Sequence, residues 1–344
     1  MMKDVLIALI KAYEIQGSFQ IKNAFNEVGL DHVILVKVAS TTMVSWLLGL
    51  SKDQAKAAVS HAWVDGHPLR AYRQAPNAGP RKGWAGGDAC MRAVHLALLV
   101  KAGQPGVNAA LTTPRWGFYD VLFKGNQFGL PKPFGSWVIE NILFKVNTAE
   151  GHGLTAIEGA LTIADELKKR NLSAEDIASI RVRTQEAAMI IINKDGPLHN
   201  YADRDHCLKY MVAVVLLKGY QIEAEDYQND SPWANDPRIE ALRQKITLVE
   251  YPEFTTDYHD LEKRSLANSL LVQLVDGTQL EEVRVDYPQG HVRREETLDL
   301  VRVKAKRNLG LKLSDVKVDS ILELVDSPDL LTLPVYKFID LFAI

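Results

Sequence analysis

The run NYADRDHCLKYMVAVVLL, from Asn200 to Leu217, sets Asp203, Arg204, Asp205, His206 and Tyr210 beside a long apolar stretch. Placing so many ionisable groups next to a buried segment costs desolvation energy unless each finds a partner or a task. A helix beginning near Asp203 puts His206 and Tyr210, four residues apart, on one face, with Met211, Val212, Val214 and Val215 anchoring the segment in a core. An imidazole and a phenol held on one wall of a cavity could pass protons. The same residues also fit a capped helix whose acids favour its N-terminal dipole and whose His206 is satisfied by a neighbour. Four more polar anchors stand near helix starts: His32 in GLDHVILVKVA, Lys82 in RKGWAGGDA, and Lys145 and His152 around EGHGLTAIEGA. Helix N-termini attract anions, so the shared position favours a negatively charged ligand, although each residue alone also reads as a structural hydrogen-bonding group.

Familiar catalytic signatures are missing. The chain has no HExxH, no phosphate-cradling GxxxxGK and no GxSxG, and WAGGDA lacks the spacing of a dinucleotide fingerprint. Its nine histidines are scattered without a metal-ligand spacing, so no metal site is expected. Two cysteines, Cys90 and Cys207, are too few to hold an ordinary iron–sulfur cluster, and both fall in helical apolar contexts that favour buried thiols.

These anchors need elements to position them. Apolar residues at three- and four-residue spacing predict helices over Val5–Tyr13, Val33–Leu48, Gln54–Trp63 and Cys90–Lys101, with Ser51 and Gln54 as a capping box and Gly103 as a stop. Between them lies HPLRAYRQAPNAGPRKGWAGGDA, His67 to Ala89, a basic Gly/Pro-rich loop too long for a plain connector. After Lys145 the pattern becomes mixed: an amphipathic helix over Thr155–Lys169, a turn at Ser173–Asp176, a strand over Ile180–Thr184, and a hairpin from Ser269 to Pro288 turning at Asp276-Gly277. Beyond Pro288 the chain returns to charge-rich helical stretches able to pack on the first half. At 344 residues two domains are expected, and 40 basic against 43 acidic residues give no one-sided field of the kind nucleic acid or an anionic membrane surface would select. No apolar run approaches the roughly twenty residues of a membrane span, and no signal-peptide pattern opens the chain, so a cytoplasmic location is expected.

The segments KAYEIQGSFQIKNAFNEVGLDHVILVKVAST, HAWVDGHPLRAYRQAPNAGPRKGWAGGDA, TTPRWGFYDVLFKG, GPLHNYADRDHCLKYMVAV, FTTDYHDLEKRSLAN and VDYPQGHVRREE together resemble the 2-methylcitrate dehydratase branch of the MmgE/PrpD family. The resemblance spans essentially the whole chain. It implies a mainly α plus α+β fold: a helical domain from residues 1–147 and a C-terminal return at 291–344, with an inserted α+β lid at 148–290. It also implies homodimers, a site between the domains, and dehydration of 2-methylcitrate to 2-methyl-cis-aconitate in propionate breakdown, without a cofactor. Water loss then needs a side-chain base for the proton beside a carboxylate, an acid for the departing hydroxyl, and cations for the carboxylates. Residue by residue, the resemblance assigns His32, Lys82, His152 and Tyr210 to catalysis and Lys145, Arg204 and His206 to substrate binding. Lys82 and Arg204 would meet carboxylates, and His152 with Tyr210 or His32 would move protons. His291, Arg293 and Arg294 could add to anion binding or form a solvated basic turn.

Two departures from the family pattern bear on activity. Relatives carry a helical segment ahead of the KAYEIQG block, whereas this sequence opens almost at that block, which implies an incomplete site and exposed apolar surface. The KVNTAEGHG junction is one residue short of the usual proline-containing connector. Alternatives to an active dehydratase are therefore a weakened remnant that binds tricarboxylates or an intact relative, and a cis-aconitate decarboxylase or epimerase on the same scaffold.

Overall fold

The computed structural model describes residues 1–74 and 78–343, so residues 75–77 of the predicted His67–Ala89 loop lie outside the described residues. The chain divides into two compact units, one of Met1–Ala75, Arg81–Ile142 and Ala305–Ile344, the other of Pro76–Pro80 and Leu143–Lys304.

The first unit is helical. Its long helices are α1 (Met2–Lys22), α2 (Val33–Leu47), α3 (Lys52–Val64) and α4 (Ala85–Lys101), with α2 packed against the other three. Helix α2 is apolar almost all round and buries Ile34, Leu35, Val38 and Ala39. Helix α4 presents Ala85, Ala89, Ala93 and Ala97, one small residue per turn, so two helix backbones can approach closely. Cys90 falls beside that stripe and is exposed, which corrects the expectation of a buried thiol; Cys207 is buried. Met91, Val94 and Leu98 also face outward on α4. The capping box at α3 forms as the sequence predicts: the Gln54 amide donates to Ser51 Oγ at 3.2 Å and the Ser51 amide to Gln54 Oε1 at 2.9 Å. Phe25, Trp63, Phe118, Phe123 and Phe128 form an aromatic core beneath these helices. Near the C-terminal end of the chain, the helix Asp315–Asp326 belongs to this unit and buries Val318 and Ile321.

The second unit is α+β. In chain order it contains α5 (Leu154–Lys169), β1 (Ile177–Thr184), α6 (Tyr201–Asp205), α7 (Leu208–Lys218), α8 (Pro237–Gln244), β2 (Ile246–Glu250), α9 (Pro252–His259), β3 (Asn268–Leu274) and β4 (Val283–Val285). The sheet order is β2-β1-β3-β4, with β1 parallel to β2 and antiparallel to β3, and β3 antiparallel to β4. Gly277 turns the β3–β4 hairpin at a φ of 88°, and Asp276 Oδ1 accepts from the Thr278 amide at 2.8 Å. Helix α5 lays its apolar stripe on β3, β4 and α7, and α7 is buried on nearly every face.

The Asn200–Leu217 run is two helices, not the single helix its pattern predicts. Asn200 Oδ1 caps α6 by accepting from the Ala202 and Asp203 amides at 2.8 and 3.1 Å. His206 ends α6, Cys207 takes extended backbone angles, and the Leu208 amide donates to Ile192 O at 2.9 Å instead of continuing the helical ladder. His206 and Tyr210 therefore do not share a helical face.

Candidate functional site

The best-organised polar cluster lies in the second unit, where the chain enters α5 through a single 3-10 turn, Gly151–Gly153. Glu150 caps this turn: one carboxylate oxygen accepts from the His152 amide at 2.8 Å, and both lie at 3.0 and 3.1 Å from His152 Nδ1. The other ring nitrogen, Nε2, is 3.2 Å from the Tyr258 hydroxyl on α9. Backbone support comes from buried Asn268 at the start of β3, whose amide nitrogen donates to His152 O at 2.8 Å and to Thr155 Oγ1 at 2.7 Å. Gly153 completes the turn, since a Cβ there would lie 2.9 Å from Met211 Cε and 3.0 Å from Leu208 Cδ1.

Electrostatics follow from this packing. Burial pushes the Glu150 carboxyl up, but the charge and two hydrogen bonds of His152, with a contribution from His206, outweigh it and hold the group at about 2. Burial, reinforced by the Glu150 charge, raises the Tyr258 hydroxyl, so it stays protonated at neutral pH. An ionised carboxylate can only accept, so the hydrogen between Glu150 and His152 sits on Nδ1, and the ring's other nitrogen, Nε2, faces Tyr258. His206 is buried, with Nδ1 2.5 Å from Asp205 Oδ1.

Tyr210 and Arg204 occupy scaffolding places. Buried Tyr210 donates its hydroxyl hydrogen to Asp226 O at 2.7 Å, and burial raises its pKa far above the usual phenol range. Buried Arg204 donates through Nε to Tyr227 O at 2.6 Å and through a terminal nitrogen to Asn229 Oδ1. Tyr227 in turn donates to Thr148 O at 2.7 Å, two residues before Glu150. The two residues thus fasten the 226–229 segment that supports the His152 turn. Lys145 is exposed, and its carbonyl accepts from Lys304 Nζ.

The first unit holds the other sequence-predicted residues. His32 is the N-cap of α2 and half exposed, beside fully buried Asp31. Asp31 accepts from the Val33 amide at 3.0 Å and from Arg73 Nε at 2.5 Å, with Arg70 at 4.0 Å. Burial raises Asp31, but His32, the Val33 N–H and Arg73 together bring it below its ordinary value. Burial lowers His32, and Arg73 and Arg70 lower it further against the pull of Asp31, so it is neutral at neutral pH among cations. Lys82 is half-buried in the 3-10 turn Pro80–Gly83 that leads into α4. The structure thus pairs His152 with Glu150 and His206 with Asp205, His206 also contributing to the electrostatics of Glu150, and places His32 in its own Asp–Arg network. Glu150, Tyr258 and Asn268 were missed by sequence reasoning. The acid two residues before His152 is a readable signal, whereas Tyr258 and Asn268 lie more than a hundred positions away.

The description of the MmgE/PrpD N-terminal domain matches residues 1–131, and that of the C-terminal domain matches residues 148–329. The chain belongs to the MmgE/PrpD family. Among curated relatives of this MmgE/PrpD chain, a 2-methylcitrate dehydratase-like protein (oryR) of Aspergillus oryzae is 70% identical over 342 residues, covering 99% of this chain and 69% of that protein. An alkylcitrate dehydratase (phiI) of a fungal species is 49% identical, covering 99% of this chain and 67% of its own length. The 2-methylcitrate dehydratase of Escherichia coli is 50% identical over 346 residues, covering 100% and 71%. The MmgE/PrpD N-terminal domain carries His32 and Lys82, the C-terminal domain carries Glu150, His152, His206 and Tyr258, and Lys145 falls between the two matches. Among the described residues no cluster of three or more His, Cys, Asp or Glu could hold a metal ion, and no helix is long and apolar enough to cross a membrane.

Proposed function

We propose that this chain is a hydro-lyase that removes water from 2-methylcitrate to give 2-methyl-cis-aconitate, the step that serves propionate breakdown. The carrying observation is the Glu150–His152–Tyr258 relay in a chain 49–70% identical, along nearly all its length, to proteins named for citrate-type dehydration. Dehydration breaks a C–H bond beside a carboxylate and a C–O bond on the neighbouring carbon, the electron pair of the first forming the new double bond. His152 takes the proton on Nε2, and a protonated side chain delivers a hydrogen to the leaving hydroxyl, which departs as water. Tyr258 has the proton for that delivery once substrate enters between its hydroxyl and Nε2 and takes up the hydrogen bond they share, whereas Tyr210 gives its hydroxyl hydrogen to a backbone carbonyl inside the fold. Lys82, Lys145 and His32 keep the carboxylate-binding and proton-transfer duties that the family resemblance implies. Arg204 serves as scaffold for the 226–229 segment. A homodimer in the cytoplasm belongs to the same reading; a Yarrowia lipolytica relative 51% identical is named as mitochondrial, so cell fractionation decides the compartment.

The test is turnover by the purified chain in chelator, followed by the ultraviolet absorbance of the conjugated alkene. The substrate panel holds 2-methylcitrate, citrate and citrates with longer alkyl groups, because relatives are named for both methyl and alkyl substrates. Preference for 2-methylcitrate supports the reading. Preference for a longer alkyl chain replaces the substrate while keeping the reaction, and a folded chain with no turnover on any of them overturns the assignment.

A further inference from the structure

We propose that Glu150 is a positioning residue for proton transfer: its carboxylate locks the His152 imidazole in the Nδ1–H tautomer and one orientation, so that Nε2 alone faces the reacting proton. The proposal rests on His152 being the proton-transfer group and assigns a task to a residue next to it.

Geometry carries it. Glu150 binds His152 twice, through the backbone amide at 2.8 Å and through the ring nitrogen at 3.0 and 3.1 Å, so neither the carboxylate nor the ring can turn without losing a hydrogen bond. The pair is largely shielded, with Glu150 and His152 side chains 14% and 16% exposed, which strengthens a charge-assisted bond relative to one in water. Asn268 and Gly153 fix the backbone of the same turn. At the far nitrogen the Tyr258 hydroxyl, 3.2 Å away, donates to the lone pair that the tautomer leaves on Nε2. When Nε2 accepts a proton the ring becomes cationic, and the Glu150 anion on its other side stabilises that state. The charged and titratable groups facing this pair are Tyr258 from α9, His206 with Asp205 at the end of α6, and Arg264 beyond Tyr258.

The experiment compares Glu150→Gln, Glu150→Asp and His152→Ala in the full chain by pH–rate profile and by long-range proton–nitrogen NMR of the His152 ring. Glutamine keeps an oxygen for the His152 amide, so the turn stays capped, but it removes the charge and the obligation of Nδ1 to donate. The expected result for Glu150→Gln is a kcat roughly 100-fold lower with KM within about threefold, an acidic limb of the profile moved to lower pH, and a mixed tautomer in place of a single Nδ1–H form. Glu150→Asp, with charge kept and reach shortened, leaves the limb in place and loses less activity. A purely structural role would move neither the limb nor the tautomer. The proposal is overturned if Glu150→Gln keeps the wild-type limb and the Nδ1–H tautomer while His152→Ala is inactive. If His152→Ala retains wild-type turnover, the functional reading of His152 fails, and the NMR arm still decides whether Glu150 sets the tautomer. Should Glu150→Gln not fold, the wild-type spectrum and Glu150→Asp decide: an Nε2–H tautomer in wild type, or a displaced limb in Glu150→Asp, rejects the proposal.

Discussion

Replacing Asn268 should show how tightly the His152 turn depends on a single buried amide. Asn268 is fully buried and makes two short hydrogen bonds, to His152 O at 2.8 Å and Thr155 Oγ1 at 2.7 Å, across more than a hundred positions of sequence. Asn268→Ala removes both and leaves the His152 carbonyl without this donor. At about 1 kcal/mol net per bond, plus about 1 kcal/mol for the stranded group, the loss is about 3 kcal/mol. Asn268→Asp keeps the shape but turns a carboxylate oxygen toward that carbonyl, so at neutral pH it should cost more than alanine, about 4 kcal/mol. Protonating the new carboxyl restores a donor. The folded state therefore binds that proton more tightly than the unfolded chain, and the aspartate variant recovers stability relative to alanine as pH falls. Urea unfolding followed by circular dichroism, at about pH 7 and about pH 5, measures both effects. An aspartate variant no less stable than alanine at neutral pH would refute the reasoning, because it would mean the amide nitrogen is not the group holding the turn.

Other consequences are equally direct. Gly290 has a φ of 96° and its added Cβ would fall 1.8 Å from Phe144 O, whereas Gly277 has a φ of 88° with open space around it. Gly290→Ala should therefore cost about 3 kcal/mol and Gly277→Ala about 1 kcal/mol in denaturant unfolding, and equal costs would contradict the close approach. Glu150 is held at about 2 against an ordinary 4.5, so its ionised form contributes roughly 3 kcal/mol that is fully present above about pH 4.5 and lost as pH falls toward 2. Glu150→Gln should flatten the stability profile in that window, and an unchanged slope would count against the pairing with His152. His67, lowered to about 4 by burial and by nearby Lys37, adds a loss of stability as pH drops from 6.5 to 4, which His67→Gln should remove.

Much of the fold is legible because it is local. The Ser51–Gln54 cap, the α5 stripe and the Asp276-Gly277 turn each depend on residues within a few positions of one another, and each forms as its pattern predicts. The break between α6 and α7 is not local. An apolar run reads as one helix, and the Ile192 carbonyl that captures the Leu208 amide belongs to a different segment. β2 escaped notice because Ile246–Glu250 is short and its pairing with β1 is long-range. The site shows the same division. His152 stands out between glycines at a helix start, but its partners Tyr258 and Asn268 come from distant elements, and nothing in DYHD or LANS marks a tyrosine or an asparagine for that duty. Tyr210 looked available for chemistry because position alone cannot reveal that its hydroxyl is spent on Asp226 O.

The decisive measurement is turnover of 2-methylcitrate by folded His152→Ala with and without added imidazole, because His152 carries the proposed proton transfer. The expected result is a kcat lowered by about 10²–10⁴-fold with partial recovery in imidazole, as loss of a proton-transfer group requires. Activity within about threefold of wild type would contradict the central claim and place the proton transfer elsewhere in the chain.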